Sequence, residues 1–288
     1  MILHHNLESA KRLSITAITA FALLGIMLYT VHNFWHSHLR FSLPKKKGMA
    51  AYYSRWLISK KYVTILSLVA AGILLYKGCN AAGLSSGEEW VCHLVSGYGT
   101  GYFHILSFLE MLLVNGTPLY LFALFIEKAV SGQSLFVSVR AAGRNKLMRA
   151  ILISGMLFLL LYCMIWFIGG TAGAYLLGYG FRGKTFPGLV TMIALKFLDL
   201  SVQYMLMLVI YLCTKQVTVG FLLLTVANAL CTVPLNCVSY LPFGLSSAAR
   251  ISPYQEGAGM PVFTAAAILS LFFIVLSLWH MKFGYRKI

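Results

Sequence analysis

The chain has 288 residues, of which 59% are hydrophobic and 10% charged. Soluble domains carry about a quarter charged residues, so this balance excludes a water-soluble enzyme or binding module and points to a membrane. A formal net charge of +16 does not indicate nucleic acid, because the basic residues punctuate apolar runs instead of gathering on a polar domain.

Seven apolar runs reach bilayer length, about 20 residues each: Leu13–Phe34, Tyr62–Ala82, Tyr102–Ile126, Leu147–Leu177, Leu189–Thr214, Val217–Tyr240 and Met260–Met281. They predict an all-α polytopic membrane helix bundle, since membrane strands are short and alternating. The first run has a basic start and apolar centre like a signal peptide. No small-x-small cleavage pattern follows, and cleavage would export Lys45, Lys46 and Lys47, so it reads as a retained helix. The fourth run exceeds one crossing, and its Gly169, Gly170 and Gly173 end is expected to break, tilt or protrude. Gly169 and Gly173 also form a GxxxG pair, which permits close helix contact.

Between the first two runs, Met49, Tyr52, Tyr53, Trp56 and Leu57 fall at i, i+3, i+4, i+7 and i+8, one apolar helical face. Lys45, Lys46, Lys47, Arg55, Lys60 and Lys61 surround it. Such a helix is expected in the inner headgroup layer, aromatics in lipid and cations on anionic lipid.

Basic residues orient the chain. Of 23, 16 lie in the intervals 35–61, 127–149, 215 and 282–287. Placing those inside puts the C-terminus in the cytoplasm and, with seven crossings, the N-terminus outside. Lys77, Arg182, Lys184 and Arg250 then belong to outer segments. Cys79 and Cys92 flank one outer loop and could pair, but two free thiols are the favoured reading, because no spacing constrains them.

Several motifs tempt. Gly178 to Thr185 satisfies GxxxxGK[ST], but it follows a membrane helix, Phe186 and Pro187 come where a helix should continue, and it lies outside. Ser96-Gly97-Tyr98-Gly99 lacks the pore helices of a filter. His32, His36 and His38 have no carboxylate partner nearby and read as interfacial, not as metal ligands. No HExxH or GxSxG occurs, and seven acidic residues leave little for acid–base catalysis, so no enzyme is expected. Lys196 and Asp199 stand three apart in the fifth run and are expected to neutralise one another. With Glu110 of the third run they line a substrate path or serve packing; both readings stay open.

Glu127 to Arg149 is the longest charged interval between membrane-length runs in the second half of the chain. It carries Lys128, Arg140, Arg144, Lys146 and Arg149 beside Glu127, and an apolar rhythm of Val130, Leu135, Val137 and Val139 too short to cross a bilayer. It reads as a cytoplasmic loop with a short membrane-hugging helix. Read as Glu127, then Gly132, Arg140, Arg144 and Lys146, it resembles the loop between the second and third helices of type-2 ATP-binding cassette (ABC) exporter permeases. Segment 45–61 resembles that family's connecting helix, and Phe283 to Lys287 its short basic tail. The resemblance covers residues 45–288, with residues 1–44 and their extra helix as the departure. It implies a six-helix transmembrane domain in the bacterial plasma membrane that binds no cofactor itself. It also implies a second permease chain, identical or different, and a separate ATPase subunit that carries ATP-Mg. Glu127, Gly132, Arg140, Arg144 and Lys146 would couple to that ATPase: Glu127 and the arginines by salt bridges, Gly132 at the turn, Lys146 anchoring the helix restart. The family's cargo is a peptide, drug or lipid; antimicrobial-peptide export or self-immunity is the expected role. The competing expectation is a secondary transporter or channel using Lys196, Asp199 and Glu110.

Overall fold

A computed structural model describes residues 49–81, 83–95, 105–128, 144–179, 185–231, 241–252 and 260–282. The first apolar run, the three histidines, the Ser96–Gly99 stretch, Gly132 and Arg140 lie outside the described residues. The architecture is a helix bundle. In chain order it comprises α1 (Met49–Leu57), α2 (Lys60–Cys79), α3 (Gly87–Val95), α4 (Ile105–Met111), a π-helical segment (Leu112–Gly116), α5 (Thr117–Ile126) and α6 (Arg144–Leu176). Then come α7 (Thr185–Thr214), α8 (Val217–Leu230) and α9 (Val262–Lys282).

Among the described residues, five helices are long and apolar enough to cross a membrane: Lys60–Cys79, Phe108–Ile126, Lys146–Leu176, Phe186–Thr214 and Val262–His280. The sixth run departs from expectation. Its helix ends at Leu230 after 14 residues, about 21 Å at 1.5 Å per residue, against about 30 Å of hydrocarbon. The all-helical expectation also misses β1 (Ile251–Ser252), which pairs in parallel with β2 (Met260–Pro261). The last helix therefore starts at Val262, not Met260.

The glycines of α6 do not break it. The helix runs unbroken through 33 residues because small residues are needed on that face. A Cβ at Gly169 would lie 2.3 Å from Leu74, one at Gly170 2.7 Å from Leu94, and one at Gly173 2.5 Å from the Trp90 ring. The Trp90 indole donates to the Gly170 carbonyl at 3.0 Å, so Gly170 and Gly173 seat α3 while Gly169 seats α2. Lower in α6, the Tyr204 ring of α7 stacks on Phe122 with centroids 4.2 Å apart. It occupies the place where a Gly155 Cβ would be, 2.2 Å away.

The connecting helix α1 forms over the expected residues but not against the expected surroundings. Tyr53 and Leu57 are buried in the protein, while Tyr52 is 57% exposed. The Ser54 hydroxyl donates to Ser154 Oγ of α6 at 3.1 Å, and Ser154 bonds back to the Ala50 carbonyl. Tyr53 and Trp56 pack on Phe125 at 5.8 Å and 5.3 Å. A nine-residue helix buries more of its apolar face on neighbouring helices than in headgroups, so only its outer edge remains for lipid.

Candidate polar core and coupling loop

The π-helical segment interrupts the second long helix at its middle. A π turn adds a residue and leaves a backbone carbonyl out of register. Here the Val114 carbonyl accepts a hydrogen bond from the Tyr162 hydroxyl of α6 at 2.7 Å. The same turn aims Asn115, 1% exposed, into the bundle. Asn115 accepts from the Lys196 ammonium at 2.5 Å and donates to Asn228 of α8 at 3.1 Å.

From there the chain of hydrogen bonds continues. Asn228 donates to Gln203 Oε1 at 2.8 Å, Gln203 donates to Asp199 Oδ1 at 2.7 Å, and Ser246 donates to Asp199 Oδ2 at 2.6 Å. Six polar side chains from the π turn, α7, α8 and the segment before β1 thus form one continuous network. Each satisfies a group that would otherwise stand unpaired in a low-dielectric interior.

Two sequence expectations change. Lys196 and Asp199 do not pair directly: Gln203, one turn on, and Ser246 take both carboxylate oxygens, while Lys196 turns to Asn115. Lys77, counted above as an outer-loop cation, is buried in the last turn of α2 and pairs with Glu110 at 2.8 Å. Arg250, also counted outside, is 3% exposed and donates to the carbonyls of Cys231 and Phe243. The Lys77 and Arg250 side chains are therefore buried within the protein instead of standing on its surface.

Glu110, Lys196 and Ser246 line one cavity of about 40 Å³, together with Trp166, Val114 and Ser247. So two of the three expected path residues, Glu110 and Lys196, reach the cavity. Asp199 stands behind Ser246, and Asp199 itself does not line the cavity. The sequence reading missed Asn115, Gln203, Asn228, Ser246 and Lys77. The available signal was amide side chains inside apolar runs, since Asn and Gln cross-link membrane helices. Among the described residues no group of three His, Cys, Asp or Glu is placed to hold a metal.

The charged loop is described at its two ends. Glu127 and Lys128 close the second long helix, and both are exposed. Helix α6 starts at Arg144, ahead of the expected restart at Leu147, with Lys146 and Arg149 exposed in its first turns. Residues 129–143 lie outside the described residues. Around the phosphate-loop match, Gly178 follows helix α6, not a strand, as expected. The helix does continue across Phe186 and Pro187, however: α7 starts at Thr185, and proline is tolerated in a first turn. The rejection therefore rests on the missing strand and not on a broken helix. Cys79 and Cys92 carry free thiols, as expected. No family model, no curated protein and no solved structure matches this chain.

Proposed function

We propose that the chain is the permease subunit of an ABC exporter, moving a peptide, drug or lipid across the bacterial plasma membrane. A second permease chain would complete the path, and ATP would be hydrolysed on separate ATPase subunits docked at the 127–149 loop. One observation carries the reading most directly. Helix α1 touches both sides of that loop: Phe125 in the last turn before it, and Ser154 in the third turn of the helix after it. A force on the loop would therefore reach α1, α5 and α6 together. Closure of the ATPase pair would shift the bundle between two openings by favouring one of them, a population shift driven by ligand. Antimicrobial-peptide export or self-immunity is the role this reading favours.

Co-expression with candidate ATPase subunits tests it. Arg140→Glu with Arg144→Glu is expected to abolish both co-purification of the ATPase and ATP-dependent export. Unchanged complex formation and export would remove the loop from the mechanism.

The polar network favours a second reading, a secondary transporter or channel using Lys196, Asp199 and Glu110, because it links ionisable groups through the membrane interior. Transport by the purified chain alone, driven by an ion gradient and indifferent to ATP, would select this reading over the first.

A further inference from the structure

We propose that the cavity beside Lys196 is a binding site for a single carboxylate group. Its walls offer open donors. Lys196 gives one N–H to Asn115, and its other two have no protein partner among the described residues. Trp166, 5% exposed and in the same wall, has an indole N–H that makes no hydrogen bond of full geometry among the described residues and faces only the Tyr162 hydroxyl, itself committed to the Val114 carbonyl. Of the acceptors nearby, Glu110 gives Oε2 to Lys77, and Ser246 directs its hydroxyl proton to Asp199.

Charge points the same way. Glu110 is neutralised by direct contact with Lys77. Asp199 does not line the cavity, whereas the Lys196 ammonium does. The wall therefore presents a positive group with open donor positions, and a charge-assisted bond to a carboxylate is the strongest interaction it can make. Size agrees as well. A volume of about 40 Å³ holds about three waters at 10–15 Å³ each, which is room enough for one carboxylate group. One oxygen would accept from Lys196 and the other from the Trp166 indole. The group would use the Lys196 N–H positions that Asn115 leaves open, so binding adds a partner to Lys196 without displacing Asn115. The site does not depend on an ATPase partner, so this inference and the exporter reading fail separately.

Purified full-length chain in nanodiscs provides the test, with thermal unfolding followed at constant ionic strength. Acetate is expected to raise Tm with saturation, as binding to the native state requires, while isosteric acetamide and methylammonium leave it unchanged. Trp166→Phe is expected to weaken acetate about fivefold, the loss of one hydrogen bond, and Lys196→Met to abolish the effect. Should Lys196→Met fail to fold, Trp166→Phe decides alone. Short peptides with free and amidated C-termini identify the source: protection by the free form only places the carboxylate on a peptide, and protection by acetate only places it on a small acid. An equal shift with acetamide, a shift untouched by Trp166→Phe, or no shift with any carboxylate would overturn the proposal.

Discussion

Asn115→Leu is the sharpest test of the polar core, because one side chain holds three helices at an irregular turn. The substitution keeps the branched four-atom side chain, with bulkier methyl ends, and removes two bonds, one from Lys196 and one to Asn228. A hydrogen bond to a charged group is worth about 1.5–3 kcal/mol and a neutral one about 1 kcal/mol, which sums to about 2.5–4 kcal/mol. Hydrogen bonds between membrane helices average nearer 0.6 kcal/mol, because the unfolded helices find other partners in lipid, and that lowers the floor to about 1.2 kcal/mol. The geometry argues for the upper part of the range, since Asn115 is 1% exposed and Lys196 has no second protein acceptor among the described residues. Asn115→Asp is the control: it keeps the acceptor, adds a charge opposite Lys196, and is expected to recover most of the loss. Reversible unfolding of the reconstituted chain in mixed micelles measures both. Leu113→Ala, two residues away on an exposed face, sets the baseline for disturbing the π segment. If Asn115→Leu costs no more than Leu113→Ala, the network is incidental.

Other outcomes follow from single contacts. Gly155→Val is expected to destabilise by about 1–3 kcal/mol through collision with the Tyr204 ring, measured in the same assay, and Tyr204→Ala in that background should relieve part of the clash. Tyr162→Phe leaves the Val114 carbonyl without its partner and should cost about 1 kcal/mol, with faster hydrogen exchange confined to residues near 112–118. Cys79 and Cys92 should differ in reactivity. Burial, aided by Glu88, pushes the Cys92 thiol up to about 11. At pH 8 only about one thiol in a thousand is then ionised, and maleimide labelling of a chain retaining Cys92 alone should be slow and rise steeply with pH. A chain retaining only the exposed Cys79 should label readily under the same conditions.

What was legible in the sequence is what hydropathy and helical spacing encode. Five of the seven apolar runs correspond to membrane-length helices, and Met49 to Leu57 forms the helix its spacing demands. What was not legible depends on which helix lies beside which. Spacing could show that Tyr53 and Leu57 share a face, but not that this face meets Phe125 and Ser154 in place of lipid. Lys196 and Asp199 share a face at i, i+3, yet Asn115, Ser246 and Gln203 outcompete the direct pair, two of them across the bundle. Lys77 looked like a loop cation because it sits at the end of an apolar run, and its partner Glu110 is 33 positions away in sequence. In a lipid solvent hydrophobicity does not choose helix neighbours; small residues and polar cross-links do. Both kinds are readable as residues but not as pairs.

Helix α6 joins the two regions that the proposed function needs. It begins at the charged loop with Arg144 and Lys146, meets α1 at Ser154, caps the π turn through Tyr162, and lines the cavity with Trp166. From Arg144 to Trp166 is about 33 Å along the axis at 1.5 Å per residue. A push at the loop can reach the cavity only if this rod does not bend, and Gly155 is its weak point within that stretch, about 1 kcal/mol poorer than alanine in a helix. It is braced by the Tyr204 ring of α7 packed against it, whose hydroxyl donates to the Ile151 carbonyl of the same helix at 2.9 Å. The flexible joint lies across from the rod, in the π turn that Tyr162 and Asn115 hold. A stiff shaft pressing on an irregular, hydrogen-bonded turn is an arrangement in which a small displacement breaks specific bonds and does not dissipate along a helix. On the exporter reading proposed above, Asn115, and not any residue of the loop, should therefore separate a chain that only binds an ATPase from one that also responds to it.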